Sequence, residues 1–406
     1  MPSVCFYFQV HQPQRIKRCS FFNVTCDPQY FDDEHNKRVM QKVAQKCYLP
    51  ANRALLKLIR RLDGAFRCAF SITGVAVDQM RRFAPEVLES FIELAETGCV
   101  EFLAETYYHS LAALYDHKEF KEQVDLHIQL MEELFHQRPQ VFRNTELIYA
   151  DFVGHLAAEM GFRAVLAEGA QDVLGWRSPN FVYSVPEAPI RLLLKNYRLS
   201  DDVAFRFSDR RWEEWPLTAD KYAHWIHSVS GCGDVVNLFM DYETFGEHQW
   251  ESTGIFEFLD YLPEAVLLHP DWSILTPSQV VEKYPVVAEL PFHRLTSWAD
   301  IERDLTAWRG NRMQNSALEQ VYQLGRDLKS CSAGEDRGIM DAWRKLLTSD
   351  HFYYMCTKWF SDGDVHAYFS PYESPYEAFV NYMNVLKDAR QRWLGNTRPE
   401  THEQRV

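Results

Sequence analysis

Apolar runs of strand length alternate with amphipathic segments of helical length up to about residue 300. Residues 4–10 and 235–240 are apolar at nearly every position, which is typical of a strand buried on both faces. Between such runs, residues 118–135 repeat apolar positions at helical spacing, and Gly98 closes a helix predicted to begin at Pro85. About seven strand–helix repeats over some 250 residues predict parallel strands joined by crossover helices.

Polar residues follow each predicted strand, which favours a closed or nearly closed β/α barrel over an open doubly wound sheet. After residue 305 the strand signals stop, and three segments carry helical periodicity: 317–329, 335–347 and 375–394. We therefore predict a barrel domain of residues 1–305. A helical domain of residues 306–406 is predicted to pack on the barrel, with the polar and aromatic stretch 349–355 contributing to the active site. The tail from Gly395 onward is polar.

Charge and composition narrow the range of partners. The 406 residues include 57 acidic and 43 basic side chains, for a net charge of -14, which argues against nucleic acid or an anionic membrane surface. Nine scattered cysteines form no CxxC pair, no signal peptide is recognisable, and no window approaches the roughly 18 apolar residues of a membrane helix. Neither a GxGxxG nor a GxxxxGK[ST] motif indicates a nucleotide site. These features predict a cytoplasmic protein with reduced thiols.

Carboxylates collect at the ends of two predicted strands. Asp241 and Glu243 directly follow the apolar run 235–240, and Glu146 lies beside Arg143 in an otherwise apolar stretch. The carboxyl ends of parallel strands are where α/β barrels place their chemistry. Two carboxylates from different strand ends fit glycoside hydrolysis, in which one attacks the sugar or activates water and the other delivers a proton.

Two further polar residues are associated with predicted strands. His11 ends the first strand, because Pro13 cannot extend the hydrogen-bond ladder. Glu101 lies inside a short apolar strand, where a carboxylate is costly unless it is paired or faces a polar cavity such as a barrel lumen.

Five stretches resemble glycoside hydrolase family 57, and most closely its α-amylase-type members. The stretches occur in the order of that family: His11-Gln12-Pro13, 98–103, 143–147, 240–246 and 342–355. A single HQP tripeptide is a weak signal, whereas all five in order are specific. The resemblance spans nearly the whole chain.

The resemblance implies a (β/α)7 barrel, a retaining mechanism and no metal or other cofactor. The implied substrate is an α-glucan or a maltooligosaccharide, cleaved at α-1,4 bonds. Glu146 matches the nucleophile that forms a covalent glycosyl-enzyme, and Asp241 matches the acid/base. The residues implied to bind the sugar or to tune this pair are His11, Glu101, Glu243 and Asp350, with His109, Trp298 and Asp300 as neighbours.

The acid role makes a physical demand on Asp241. A free aspartate titrates near pH 4, so its surroundings must raise the pKa if it is to hold a proton near neutral pH. We expect burial and an ionised Glu146 to raise it, with Glu243 adding repulsion from the same side of an ideal strand.

Three alternatives remain open at this point. A 4-α-glucanotransferase would use the same covalent intermediate and pass it to a sugar hydroxyl. A metal-dependent deacetylase or mannosidase on a similar barrel would use His11, His109, Asp241 and His248 as ligands, although no tight metal-ligand motif is present. A non-catalytic glucan-binding protein is disfavoured by the presence of both Glu146 and Asp241.

Overall fold

A computed structural model describes residues 1–20, 29–360 and 370–395. The chain divides into two compact units. The first comprises Met1–Pro13 and Glu34–Leu305, and the second comprises Gln14–Asp33 and Thr306–Val406. Residues 14–33, which the sequence analysis assigned to the barrel domain, therefore group with the helical unit.

The elements of the described residues follow in chain order. The strands are β1 (Ser3–Val10), β2 (Cys68–Ile72), β3 (Val100–Phe102), β4 (Val141–Arg143), β5 (Ala164–Glu168), β6 (Tyr183–Ser184), β7 (Arg191–Lys195), β8 (Val235–Asp241) and β9 (Ser273–Ile274). The α-helices of the first unit are α1 (Asp33–Val43), α2 (Leu49–Arg61), α3 (Gly74–Phe83), α4 (Pro85–Glu96), α5 (His117–Phe135), α6 (Asp151–Glu159), α7 (Gln171–Leu174), α8 (Tyr197–Asp201), α9 (Ala219–His227), α10 (Ile255–Leu267) and α11 (Pro277–Lys283). Those of the second unit are α12 (Thr306–Arg309), α13 (Arg312–Lys329), α14 (Arg337–Leu346), α15 (Asp350–Tyr353) and α16 (Pro375–Leu394).

Seven parallel strands among the described residues form the barrel wall. β1 pairs with β2 and β8, β2 pairs with β3, and β5 pairs with β4 and β7. A bridge between Ala104 and Phe142 joins β3 to β4. The backbone N–H of Asn196 donates to the carbonyl of Asn237 at 2.9 Å and joins β7 to β8. The (β/α)7 barrel expected from the sequence is thereby confirmed.

Side chains of the wall alternate between the helix layer and the lumen. In β1, Phe6 and Phe8 pack in the outer core against the surrounding helices, whereas Cys5 and Tyr7 belong to an inner core that fills the lumen. A fully buried phenylalanine contributes roughly 1.5–3 kcal/mol to the free energy of folding. The near-continuous apolar character of these strands therefore reflects burial on both faces.

The lumen changes character along the barrel axis. Near the amino-terminal ends of the strands, α11 packs Val280 and Val281 into the inner core. A capping box between Thr276 and Gln279 starts this helix. Near the carboxyl ends, the buried side chains of the wall and its loops become polar or charged: Gln9, Ser71, Glu105, Arg143, Glu168 and Lys195. These six polar or charged side chains therefore lie at one end of the barrel.

The second unit is helical and includes part of the N-terminal loop. Helices α13 and α16 pack together, and an ion pair of 2.6 Å joins Arg390 to Asp327. The indole N–H of Trp343 donates to the carbonyl of Val321 at 2.9 Å. Tyr30 attaches the 14–33 segment to α16 by donating to Asp388 at 2.6 Å.

Two local expectations are wrong. The sequence predicts a helical stretch that includes Trp212, Trp215 and Trp225, but the helix begins only at Ala219, so Trp212 and Trp215 lie in the irregular segment before it. Glu243 does not extend the strand, because β8 ends at Asp241 and the chain enters a 3-10 turn over Tyr242–Thr244.

Three other expectations concern the polar tail, the cysteines and membrane spans. The polar tail beyond Gly395 lies outside the described residues. The cysteines that the structure describes are free thiols, as expected. Within the same ranges, no helix combines the length and the apolar character needed to cross a membrane.

Gly246, which follows the acidic turn after β8, cannot accept a side chain. It adopts φ 110°, and a Cβ would lie 1.9 Å from the carbonyl oxygen of Lys46. We expect Gly246→Ala to lower the free energy of unfolding by roughly 3–4 kcal/mol, measured by urea denaturation. Gly161→Ala is the control, since Gly161 has φ 85° with no heavy atom within 4 Å of its Cβ position. That change should cost only about 1–2 kcal/mol. Equal losses would show that the contact with Lys46 is unimportant.

Candidate active site

Glu146 projects from a strained turn that follows β4. Thr145–Leu147 form one 3-10 turn, in which Glu146 adopts the left-handed conformation at φ 58° and ψ 26°. This conformation is uncommon for residues other than glycine, costs about 1–3 kcal/mol and persists where the surroundings hold it. The Glu146 side chain is 22% exposed, whereas Thr145 and Leu147 are buried. The carboxylate is therefore the part of the turn that a ligand can reach.

Two side chains orient the carboxylate of Glu146. A ring nitrogen of His109, Nε2, lies 3.1 Å from Oε1, and the indole N–H of Trp298 donates to Oε2 at 2.8 Å. The backbone N–H of Trp298 also donates to the carbonyl of Glu146 at 3.2 Å. Both carboxylate oxygens are thus hydrogen-bonded, which favours the ionised form.

His109 connects Glu146 to a second, fully buried carboxylate. Its Nδ1 lies 3.2 Å from Oε2 of Glu105, which is itself 3.7 Å from the guanidinium of Arg143. Burial would lower the pKa of His109, but the hydrogen bonds to Glu105 and Glu146 outweigh it and raise the pKa to about 9. Burial opposes ionisation of Glu105, yet His109 and Arg143 hold its pKa at about 2. A cationic His109 therefore lies between two anions at neutral pH.

Asp241 occupies the end of β8, in register with Gln9. Burial first, and the charge of Glu146 second, raise the pKa of Asp241 from 3.8 to about 6, against the lowering effect of Arg143 and Lys195. The upward shift that an acid role requires is present, and it has the two causes expected from the sequence. One carboxyl group of the pair is thus poised to hold a proton beside an ionised partner.

Glu243 lies in the turn after Asp241. Its carboxyl group accepts a hydrogen bond from the Tyr48 hydroxyl and a weaker one of 3.4 Å from the Gln12 amide. Burial and the nearby Asp241 raise the pKa of Glu243 to about 8. Tyr48 belongs to a π-helical turn, Ala44–Tyr48, and such turns occur frequently at functional sites.

The other predicted site residues occupy three different places. His11 stacks on His109 with ring centres 3.9 Å apart and hydrogen-bonds Thr73 at 2.9 Å. Asp300 follows Trp298 in the same loop, at φ 55°. Asp350 begins α15 in the second unit.

Glu101 does not join this group. Its carboxylate accepts hydrogen bonds from Ser278 at 2.5 and 2.9 Å, beside a pocket of about 400 Å³ at the amino-terminal ends of β2, β3 and β4. Its position does not support the sugar-binding role implied by the resemblance. Glu105, four residues later and about 13 Å further along an extended chain, reaches His109 instead.

Three charged residues near the catalytic candidates had no role assigned from the sequence: Glu105, Arg143 and Lys195. Glu105 precedes His109 by four residues, and inward alternation from Glu101 could have identified it. The guanidinium of Arg143 is 4.9 Å from the Trp298 ring centre, and the Lys195 ammonium is 5.4 Å from it. Both cations come from strand ends, where a polar residue is a usable signal.

Two of the histidines considered as metal ligands have different surroundings. Both ring nitrogens of His109 lie within hydrogen-bond distance of carboxylates, and its pKa is raised to about 9. His248 lies beside Lys42 and Glu247, and burial lowers its pKa to about 4.

A pair of carboxyl groups at the mouth of a barrel is the kind of arrangement that glycoside hydrolysis uses. The family model for glycosyl hydrolase family 57 matches residues 5–292. The chain belongs to glycosyl hydrolase family 57, and it is a glycoside hydrolase.

A curated relative supports this assignment, and two solved structures share the fold. A Methanocaldococcus jannaschii protein named "Putative alpha-amylase" is 44% identical over 394 residues, covering 95% of this chain and 83% of that protein. The Pyrococcus horikoshii family 57 branching enzyme has a TM-score of 0.67 at 15% identity, covering 95% of this chain and 88% of its own. The α-amylase AmyC of Thermotoga maritima has a TM-score of 0.62 at 13% identity, covering 96% and 93%. At these identities the two structures support the fold alone.

The raised pKa of His109 predicts a pH-dependent contribution to stability. A group whose folded pKa lies above its unfolded value stabilises the fold fully below the unfolded pKa, here 6.5, and loses that effect as pH rises through about 9. We therefore expect His109→Gln to destabilise the protein by about 3 kcal/mol more at about pH 6 than at about pH 10. Unfolding free energies at both pH values would measure this difference.

The control for this comparison is His224→Gln, which removes an exposed histidine on α9. Its effect should not depend on pH in the same way. An equal effect of His109→Gln at both pH values would show that the charged His109 does not stabilise the folded protein.

Proposed function

We propose that this glycoside hydrolase cleaves α-1,4-glucosidic bonds of α-glucans and maltooligosaccharides with retention, as an enzyme of the α-amylase type. The observation that carries the proposal is the difference in surroundings between two neighbouring carboxyl groups. His109 and Trp298 hydrogen-bond the carboxylate of Glu146, while burial and Glu146 raise the pKa of Asp241 to about 6. Family membership and the name of the M. jannaschii relative support the substrate class.

The first step forms a glycosyl-enzyme. A carboxylate oxygen of Glu146 attacks the anomeric carbon while Asp241 gives its proton to the glycosidic oxygen, and the bond between that carbon and oxygen breaks. The electron pair of the broken bond leaves with the protonated sugar. Asp241 is then an anion, and Glu146 is esterified and no longer charged.

The second step regenerates the enzyme. Asp241 takes a proton from water, whose oxygen attacks the anomeric carbon and displaces Glu146 as a carboxylate. Two inversions at one carbon give net retention. If a sugar hydroxyl replaces the water, the same chemistry gives 4-α-glucanotransfer.

The roles of the remaining site residues are also proposals. His11 and Glu243, which lie beside His109 and Asp241, bind the sugar or tune the pair. Trp298 and Asp300 belong to one loop near Glu146, and Asp350 stays a predicted ligand from the second unit. A cytoplasmic location also stays a prediction.

Digestion of one purified maltooligosaccharide tests the reaction type. We expect shorter sugars only, because water captures the intermediate. These sugars should be released initially with the α-anomeric configuration, because the mechanism is retaining. Chromatography of the products and early proton NMR spectra provide the two measurements. Glu146→Gln should lower kcat by at least about 10³-fold, because the amide cannot form the ester.

Products both longer and shorter than the substrate would instead identify a transferase. Initial release of the β-anomer would contradict the retaining mechanism. A Glu146→Gln protein as active as the wild type would overturn the nucleophile assignment, and binding without product would support a glucan-binding protein.

Leaving-group dependence tests the acid role of Asp241. Asp241→Asn cannot donate the proton, so turnover of maltooligosaccharides should fall by about 10²–10⁴-fold. Aryl maltosides with strongly acidic phenols need little protonation and should lose much less in kcat/KM. Steady-state kinetics across a series of phenols would reveal the difference. Equal losses across the series would contradict the assignment.

A further inference from the structure

Trp298 lies in a loop, residues 297–304, that adopts an unfavourable backbone. Asp300 and Arg303 both have left-handed conformations, at φ 55° and 52°. Neither residue is glycine, and such conformations persist only where neighbouring contacts hold them. The contacts that fix this loop therefore also fix the indole that binds Glu146.

Arg303 holds the loop together through two hydrogen bonds, one from its side chain and one to its backbone. Its guanidinium donates to the carbonyl of Trp298 at 2.8 Å. Its own carbonyl accepts from the backbone N–H of Ser297 at 3.2 Å. The two ends of the loop are thus joined at the residue that precedes Trp298 and at Trp298 itself.

The Arg303 guanidinium belongs to a group of four charged side chains that we call the ion cluster: Glu168, Lys195, Asp201 and Arg303. Arg303 lies 2.5 Å from Asp201 and 3.3 Å from Glu168. Lys195 lies 2.9 Å from Asp201 and 3.6 Å from Glu168. Each cation therefore contacts both anions.

The ion cluster is built on rigid elements. Glu168 ends β5 and Lys195 ends β7, where the two residues are register partners, and both are buried. Asp201 ends α8. The loop is thereby attached to the barrel wall through Arg303, because a planar guanidinium can bind two carboxylates and a carbonyl together.

We propose that Arg303 is a positioning residue, held by Glu168, Asp201 and Lys195, that presents the indole N–H of Trp298 to Glu146. The proposal rests on the proposed function, in which Glu146 is the nucleophile. Arg303 acts through Trp298, whose indole lies 2.8 Å from the carboxylate. Lys195 is less suitable as a probe, because its charge also acts on Asp241.

A double-mutant cycle on Arg303 and Trp298 tests this route. Arg303→Gln and Trp298→Phe should each lower kcat on a maltooligosaccharide by about 10–100-fold, with KM changed by less than about 3-fold. If Arg303 acts through the indole, the kcat of the double variant should be no more than about 3-fold below that of the less active single variant. Losses that multiply in the double variant would overturn the proposal, as would unchanged kcat in Arg303→Gln.

Arg206→Gln is the matched control. It removes an arginine from an ion pair of 2.6 Å with Asp202, next to the ion cluster in sequence, and should keep kcat within about 2-fold. Melting temperatures of all variants show whether they fold. If Arg303→Gln does not fold, Arg303→Lys replaces it in the cycle, since a lysine keeps the charge but cannot bind three acceptors in the same plane.

Glu146→Gln separates the two hypotheses. An active Glu146→Gln protein would mean that the proposed function has failed. An inactive Glu146→Gln protein together with multiplying losses would mean that only the positioning role of Arg303 has failed.

Discussion

Burial of Asp241, together with repulsion from the neighbouring carboxyl group of Glu146, is the constraint on which the barrel mouth depends. Glu146 and Asp241 cannot both ionise at low cost in a poorly hydrated site, and the surrounding cations decide which one does. His109 contacts Glu146 directly at 3.1 Å, whereas Arg143 and Lys195 only oppose the rise in the pKa of Asp241. A direct charged hydrogen bond selects the ionised form more strongly than a distant charge. The difference between the two carboxyl groups, which the proposed acid and nucleophile roles require, therefore arises from contact geometry.

Maintaining this arrangement costs stability, which the rest of the barrel must offset. Five residues around the site adopt left-handed conformations, each at a cost of about 1–3 kcal/mol: His109, Glu146, Leu147, Asp300 and Arg303. The nitrogens of the buried Arg143 guanidinium make no hydrogen bond within the described residues, and buried charge is expensive when incompletely paired. The two apolar cores, inside and outside the strand wall, supply the compensating free energy.

The sequence predicted the barrel well, because strand and helix signals there are local. Positions of Glu146 and Asp241 at strand ends followed from the same local pattern. The ion cluster could not be predicted, since Arg303 and Glu168 have a sequence separation of 135 and no spacing rule connects them. The position of Glu243 on the strand was predicted wrongly for another reason. A strand gives no local sign of the 3-10 turn that replaces it after Asp241.

Depth along the barrel axis decides what an inward carboxylate does. Near the closed end, Glu101 accepts hydrogen bonds from the N–H and O–H of Ser278, two neutral donors on a helix that fills the lumen. Burial raises the pKa of Glu101, as expected where no cation is close enough to outweigh desolvation. Near the mouth, Glu105 meets His109 and Arg143, and its pKa falls to about 2. An inward-facing glutamate thus accepts hydrogen bonds from neutral donors near the closed end of the barrel, whereas near the mouth it contacts cations. A sequence pattern that reports only the inward direction cannot distinguish these two roles.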